Sequence, residues 1–579
     1  MIRKERLMRI DSVRIKGYRN FLDTEIKFGP RSLIIGPNDV GKTNLIFALR
    51  LLLDRSFSEQ DIEPSESDFH INTAGVSAET AEITVTFAEV SQDAVLSILA
   101  GNVGDDGRTV FQYQAEKASL GFKIFVGRDV TSLLEVPTRF YLRHLCMKVV
   151  DSRRDLGKFI QSEKRNLLKL AQDLRTPQQI EKDNEILNEV SGTLTKVNNL
   201  VSQLNYVSAA TNDVNAELKS LAYHHANYGV QLNSVAMEVS QFVEKLELAG
   251  TTNGSKVILG GDGRNNQILL ALWKAKSMRE FDSENEVVIY CVEEPEAHLH
   301  PHQQRRLADY LSKQLIGQTI VTTHSPQILS GYSPESIIKL KSSKGVTWAA
   351  SGGCSNCINT AWDNMGYRMS ILPAEAFFAT VVLLVEGPSE LLFYRQLASR
   401  IDIDLDFYNI SILSVDGVQF EVYAQILRSM EIPFVLRTDN DISKISTGPA
   451  SAKLEQRQLA GFNRCLALVG NPAMPHRPAI YTQSESVNDG TWASVSKFVN
   501  PFGVFISMYD LETDLGIELP DEYRKFKGPE VTDTVAYLQD QKAVRMRAFL
   551  KEHGNSLSCL AGGELAKPLK MCVVLAADE

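Results

Sequence analysis

Three stretches in the second half of the chain gather carboxylates in a pattern suited to divalent-cation chemistry. In Val381-Val-Leu-Leu-Val-Glu386-Gly387-Pro-Ser-Glu390, five apolar residues read as a buried strand that ends in a carboxylate. Gly-Pro follows, and Ser389 is placed to cap a helix opened by Glu390. Pro433-Phe-Val-Leu-Arg-Thr-Asp439-Asn-Asp441 repeats the device with two acids. Gly503-Val-Phe-Ile-Ser507-Met-Tyr-Asp510-Leu511-Glu512-Thr-Asp514 ends in alternating acids, which point to one side if the segment is extended. Parallel α/β sheets form their sites at such carboxyl ends. Acids crowded there repel one another unless cations neutralise them. Two cations about 4 Å apart fit the count, one activating water and one stabilising a leaving 3′ oxygen. The candidate ligands are Glu386, Glu390, Asp439, Asp441, Asp510 and Glu512, with the choice among Asp510, Glu512 and Asp514 open. Glu386, Asp439 and Asp510 would carry the catalysis. Lys542, on a helix that begins near Val535, could stabilise charge on a pentacovalent phosphorus, although a lysine there is more often a surface residue. The competing reading of the acids is an ordinary solvated sheet edge.

A second chemistry sits near the amino terminus. Ser32-Leu-Ile-Ile-Gly36-Pro37-Asn38-Asp39-Val40-Gly41-Lys42-Thr43-Asn44-Leu-Ile-Phe is strand, glycine loop and helix, and satisfies G-x-x-x-x-G-K-[ST]. Backbone N–H groups of the loop can close on phosphate oxygens, and the helix N-terminus adds positive potential. Lys42 would reach the β and γ phosphates and Thr43 would ligate magnesium. The sequence thus predicts binding of a nucleoside triphosphate, ATP above all. Glu286-Val-Val-Ile-Tyr-Cys-Val-Glu293-Glu294 is an apolar strand ending in acids. Glu293 would hold magnesium through water and Glu294 would polarise the attacking water. Ile320-Val-Thr-Thr-His324 ends in a histidine suited to sensing a γ-phosphate.

The elements that must position these residues suggest an α/β chain of several domains. At 579 residues the chain is too long for one core. The expected division is a first half of the ATPase head over 1–150, a helical insertion over 151–250 and a second half of the head over 251–345. A linker over 346–375 and a second α/β domain over 376–579 complete it. In the insertion, Leu187, Val190, Leu194, Val197, Val201, Leu204, Val207, Thr211, Val214, Leu218 and Leu221 alternate steps of three and four. That is an a/d seam, for a helix pair or a two-subunit interface, with a turn possible at Ser208-Ala-Ala-Thr-Asn-Asp. Nine Lys and Arg between 141 and 175, against four acids, suit either a phosphate-tracking face or a solvated helix surface.

Composition narrows the class. Hydrophobic content of 44% and charged content of 23% describe a globular chain, without an apolar run long enough for a membrane span or a signal segment. Seven scattered cysteines suit a reducing cytoplasm, and Cys354-Ser-Asn-Cys357 lacks the second pair a zinc site would need. A net charge of −10 argues against uniform coating of nucleic acid but not against local basic grooves.

Two resemblances join these parts. The phosphate loop, long insertion, Gly261-Asp-Gly-Arg264 loop, Glu293-Glu294 strand and His324 follow the order of SMC/RecF-like ABC ATPase heads, which sandwich ATP between two subunits. Glu293 stands where Asp is usual, and Gly-Asp-Gly-Arg replaces Ser-Gly-Gly-Gln, so nucleotide binding is better supported than brisk hydrolysis. The strand-end Glu386 with Asp439-Asn-Asp441 resembles the Toprim fold, which is Rossmann-like. Head, insertion, Glu-Gly-Pro-Ser-Glu, Asp-Asn-Asp, Asp-Leu-Glu and late Lys, in this order, resemble the OLD (overcoming lysogenization defect) nuclease family, and more narrowly the nucleases of Gabija antiphage systems. The resemblance implies a Mg2+- or Mn2+-dependent endonuclease acting on double-stranded DNA and gated by ATP. It implies a homodimer or dimer of dimers (tetramer) joined through the heads, and a UvrD-like helicase partner. It carries Glu386, Glu390, Asp439, Asp441, Asp510 and Glu512 over as metal ligands, and Lys542 as the catalytic cation. Two other classes compete: a Toprim topoisomerase or primase, and a clamp-like ABC ATPase that binds DNA without cutting.

Overall fold

The structure, a computed structural model, describes residues 8–150, 156–221, 250–252, 255–257, 268, 272, 286–297, 299–315, 317–353, 374–417, 419–447 and 454–578. The Gly261–Arg264 loop and the Cys354–Cys357 pair lie outside these residues. The chain divides into two compact units, one of residues 1–151, 283–296 and 301–579, the other of residues 152–282 and 297–300.

The larger unit begins with two six-stranded sheets. One is antiparallel, in the order Phe21–Lys27, Arg9–Tyr18, Thr80–Ala88, Thr109–Glu116, Gly121–Gly127, Leu134–Val136. The other runs Val346–Ala349, Ile337–Ser343, Arg31–Ile35, Gln318–Thr322, Val287–Glu293, Leu145–Val150. Its pairings are parallel except at the first strand, which forms an antiparallel edge with Ile337–Ser343. Val287–Glu293 is buried at every position, as a central parallel strand covered on both faces should be. The helix Lys42–Leu53 turns Leu45, Ile46, Leu49 and Leu52 into a core shared with Ile10, Val13, Phe87 and Phe111 of the antiparallel sheet. Val346–Ala349 opens the segment read as a linker from its Gly and Ser content, yet it is a sheet edge.

The carboxyl-terminal part of this unit is a four-stranded parallel sheet, in the order Ile410–Ser414, Val381–Val385, Phe434–Thr438, Val504–Ile506. The chain leaves Val381–Val385 on one side to form Ile410–Ser414, then crosses back to Phe434–Thr438 on the other. The loops after Val385 and Thr438 therefore diverge at a topological switch point, where open α/β sheets make a crevice. Helix Pro388–Arg400 starts on an extended Gly387 with Pro388 in its first turn and ends on Arg400, as its dipole favours. Ser389 is inside that helix, so it does not cap it. Leu511–Glu518 is helical, with Asp510 as its N-cap, and the extended reading of 510–514 is overturned. A cap that accepts a hydrogen bond from Thr513 outweighs the alternating pattern of acids.

In the second unit, helices span Leu156–Asp173, Pro177–Ser202 and Asn205–Leu221. Thr176 and Gln179 form a reciprocal capping box, with Pro177 in the first turn. The break falls at 203–204 rather than at Ser208–Asp213, which lie within a helix. Seam residues Val197, Leu204 and Val214 are exposed. Of the basic residues of 141–175, Arg143 lies in a 3-10 turn, Lys148 in a sheet strand and Lys158, Lys164, Arg165 and Lys169 in a helix, so these form no single element, while Arg153 and Arg154 lie outside the described residues.

Leu383 is fully buried in the cluster that ties the second sheet to its helices. Leu383→Ala should cost about 2–5 kcal/mol of stability, measured by urea denaturation, through lost burial and the cavity left behind.

Candidate active site

Thr438 closes a strand and Glu386 follows the neighbouring one, so the switch point brings them side by side. Glu386 Oε1 accepts from the Asp439 backbone N–H at 2.8 Å, the Thr438 hydroxyl at 2.5 Å and Arg464 at 2.7 Å. Arg464, from helix Ala460–Leu468, also donates to Asp441 Oδ2 at 2.6 Å and contacts the Thr438 hydroxyl. One guanidinium thus links the acids of two loops. Gly461 at the start of that helix sits against the backbone of Asp439–Asp441, where a Cβ would collide with the Asp439 carbonyl.

Asp439 and Glu512 are buried, at 5% and 0% exposure, and Lys542 Nζ stands 3.8 Å from the first carboxylate and 3.7 Å from the second. Ser507 donates to Asp439 Oδ1 at 3.2 Å, and Ser389 donates to Glu512 Oε1 at 3.0 Å. Glu390, one helical position after Ser389, is buried within electrostatic reach of Glu512 and Glu386. Burial, and then the neighbouring Glu386, push the Asp439 carboxyl well above its ordinary range. Burial also raises Glu390. Lys542 is the first residue of helix Lys542–His553, where the helix dipole disfavours a cation. Burial works to lower its ammonium, but Glu512 and Asp439 prevail and hold it above its ordinary value.

The three acids after Val504–Ile506 part company. Asp510 accepts from Thr513 N at 2.7 Å and from Gln539 Nε2 at 2.6 Å. Glu512 turns into the cluster. Asp514 turns away from it, accepting from Met508 N at 3.0 Å, Tyr509 N at 2.9 Å and the buried Arg437 at 3.1 Å. Burial raises Asp514 to about 6 against the pull of Arg437. Asp514 is thus fully engaged by protein donors. Arg437, at 4% exposure, also lies 3.9 Å from Asp439. It was missed as a site residue, although a charged residue inside Phe434-Val-Leu-Arg-Thr438 is the signal that could have found it.

The donors have the chemistry a hard divalent cation takes, but among the described residues no three Asp, Glu, His or Cys side chains are gathered closely enough to hold one as they stand. Glu512 Oε2 is buried without a hydrogen-bond partner and faces the Lys542 ammonium at 3.7 Å, which leaves it free to accept from a closer cation. All the candidate donors are carboxylate oxygens, the ligands magnesium and manganese take.

At the other site, Gly41 is left-handed at φ 102° and leaves room for Asn20, whose side chain donates to Val40 O at 2.9 Å. A side chain at Gly41 would collide with that amide. Asn44 donates to Asn20 at 2.8 Å and accepts from Arg19 at 3.0 Å, so the loop Gly36–Asn44 is buttressed from the first hairpin. Lys42 Nζ lies on the Gly36 and Pro37 carbonyls at 3.0 and 2.7 Å, and burial lowers its ammonium to about 8. Thr43 donates to Glu293 at 3.2 Å, the pair that would share magnesium. His324 Nε2 is 3.5 Å from Glu294, and burial followed by the Lys42 charge lowers its pKa. Glu294 takes a left-handed φ of 44°, a strained setting at the residue expected to orient water. Glu296 accepts from Thr323 at 2.8 Å and from the His324 N–H at 2.7 Å, fixing the histidine loop.

Residues 8–135 and 148–329 match the AAA ATPase domain family, and residues 377–441 match the Toprim domain of overcoming lysogenization defect protein-like chains. The chain belongs to the AAA ATPase domain family, and it carries a Toprim domain of the overcoming lysogenization defect protein-like type. It is similar to the endonuclease GajA of Bacillus cereus (strain VD045), with 25% identity over 577 residues, covering 93% of this chain and 94% of GajA. The OLD nuclease of Thermus scotoductus (strain ATCC 700910 / SA-01) is 24% identical over 463 residues, covering 74% of this chain and 81% of that protein. Among solved structures, an SMC head bound to the C-winged helix domain of ScpA aligns with a TM-score of 0.36 and 16% identity, over 59% of this chain and 96% of that one.

Deprotonated carboxylates are what a cation binds, so metal affinity should rise with pH. Asp439 and Glu390 have folded pKa values above their unfolded ones. Their contribution to metal-free stability is present at low pH and is lost as pH rises through the folded values. The gain in melting temperature from MgCl2 should therefore be larger at about pH 8 than at about pH 5.5, and Asp439→Asn should remove most of it in a thermal-shift assay.

Proposed function

We propose that the chain is a Mg2+- or Mn2+-dependent endonuclease that cuts double-stranded DNA in antiphage defence, with ATP gating the Toprim site. The observation that carries this reading is the convergence of Glu386, Glu390, Asp439 and Glu512 at the switch point, with Lys542 bridging Asp439 and Glu512. GajA and the OLD nuclease carry the activity in their names, which supports the same assignment here. Divalent ions bound at these acids would activate water and stabilise the leaving 3′ oxygen. Glu386, Asp439 and Glu512 would hold them, with Glu390, Asp441 and Asp510 completing the set. Asp514 is left out of it by its bonds to Arg437 and the backbone. Lys542, half-exposed on the site's open side, would meet a phosphate oxygen as negative charge builds on it. Arg464 would hold the Glu386 and Asp441 loops in register.

In the ATPase half, Gly36–Asn44 would cradle the phosphates, Thr43 and Glu293 would share magnesium, and Glu294 and His324 would face the γ-phosphate. The exposed seam residues Val197, Leu204 and Val214 fit a second copy of the chain, which supports a homodimer or a dimer of dimers. A UvrD-like helicase as further partner and a cytoplasmic location rest on the family resemblance. Among the described residues no helix is long and apolar enough to cross a membrane.

Plasmid incubated with the protein, MgCl2 or MnCl2 and no nucleotide should be nicked or linearised. Glu386→Ala and Asp439→Ala should abolish cleavage, and Lys542→Ala should lower it by roughly 10²–10³, the scale of one lost charge-stabilising donor. Cleavage that persists at the parental rate in Glu386→Ala and Asp439→Ala would remove the assignment. Val197→Glu combined with Leu204→Glu should lower the mass found by light scattering to that of a smaller assembly.

A further inference from the structure

The edge strand Val346–Ala349 touches both functional halves of the larger unit, and it does so with adjacent residues. Thr347 donates to the carbonyl of Val40 in the phosphate loop at 2.7 Å, and its backbone N–H donates to Asn20 O at 2.8 Å. Trp348, the next residue, donates from Nε1 to Glu431 Oε2 at 2.9 Å. Side chains of successive strand residues point to opposite faces, so this short strand is held from both sides.

Glu431 is a convergence point in its own right. Its other carboxylate oxygen accepts from Ser351 N at 3.0 Å, and its carbonyl accepts from Lys341 Nζ at 2.7 Å. Ser351 also donates to Ser429 O at 2.7 Å. The residue is left-handed, at φ 51°, a setting that persists for a glutamate only where its surroundings fix it. Three residues further on begins the strand Phe434–Thr438, whose far end delivers Asp439.

We propose that Glu431 is a positioning residue, and that Trp348–Glu431 is the strut through which the phosphate loop sets the placement of Asp439. The proposal rests on the nucleotide-gated nuclease reading and supplies its route. A shift of the Val40 carbonyl when phosphates enter the loop moves Thr347. Trp348 moves with it, and Glu431 passes the displacement along one strand to the metal ligand. Neither Trp348 nor Glu431 touches a side chain of either site, so the strut can be cut there with both sites intact.

The full-length parent is compared with Trp348→Phe, which keeps the ring and removes the N–H, with Glu431→Ala, and with Glu431→Gln. Plasmid cleavage with MgCl2 is followed across ATP concentrations, and affinity for a fluorescent ATP analogue is measured separately. The parental rate should change with ATP. Trp348→Phe and Glu431→Ala should shrink that change at least about fivefold, while nucleotide-free cleavage and analogue affinity stay within about twofold. Glu431→Gln, whose amide oxygen still accepts from Trp348 or Ser351, should keep part of the response, which a merely structural role for the residue would not predict. If Glu431→Ala fails to fold, Trp348→Phe carries the comparison. A parental ATP response retained in full by Trp348→Phe overturns the strut and leaves the gated nuclease standing. A parent that cuts DNA at one rate whatever the ATP concentration overturns the gating itself, and the strut with it.

Discussion

Like charges brought together out of water are the constraint around which the carboxyl-terminal half is built. Glu386, Glu390, Asp439 and Glu512 meet where two strand ends diverge, and burial makes the ionised forms of Glu390 and Asp439 costly. The fold meets that cost with cations of three kinds. Arg437 is locked inside the sheet and never leaves, Arg464 spans two loops, and Lys542 stands at the rim with half its surface in solvent. The differing exposure separates their roles. A buried guanidinium serves the ground-state fold, whereas a half-exposed ammonium can change partners when a phosphate arrives.

The ATPase half solves the opposite problem, keeping a cationic loop ordered for an anion. Lys42 lies on loop carbonyls, and Asn20, Asn44 and Thr347 fasten the loop from neighbouring strands. The donors an incoming phosphate needs are thereby held near one place, so binding does not have to order them first.

Local chemistry made much of this legible in the sequence. A glycine loop between strand and helix, and apolar strands ending in acids, are contiguous signals, and the structure puts Glu386, Asp439 and Lys42 where such signals imply. What stayed hidden depended on distant residues. Asp510, Glu512 and Asp514 alternate as if on a strand, but an N-cap turned the segment into a helix and sent Asp514 to Arg437. Arg437 itself looks like an interruption of an apolar run until its two carboxylate partners are in view. The chain break at 203–204 was similarly concealed, because Ser208–Asp213 is polar enough to turn but sits comfortably inside a helix.

The order in which these groups occur along the chain bears on synthesis. Glu512 and Lys542 lie well downstream of Asp439, and each comes from a helix that packs only after the last strand is laid down. A nascent polypeptide that has emerged from the ribosome as far as Asp441 already displays its phosphate loop but lacks the groups that complete the acid cluster. The acid cluster is in this way assembled only once the helices carrying Glu512 and Lys542 have been made.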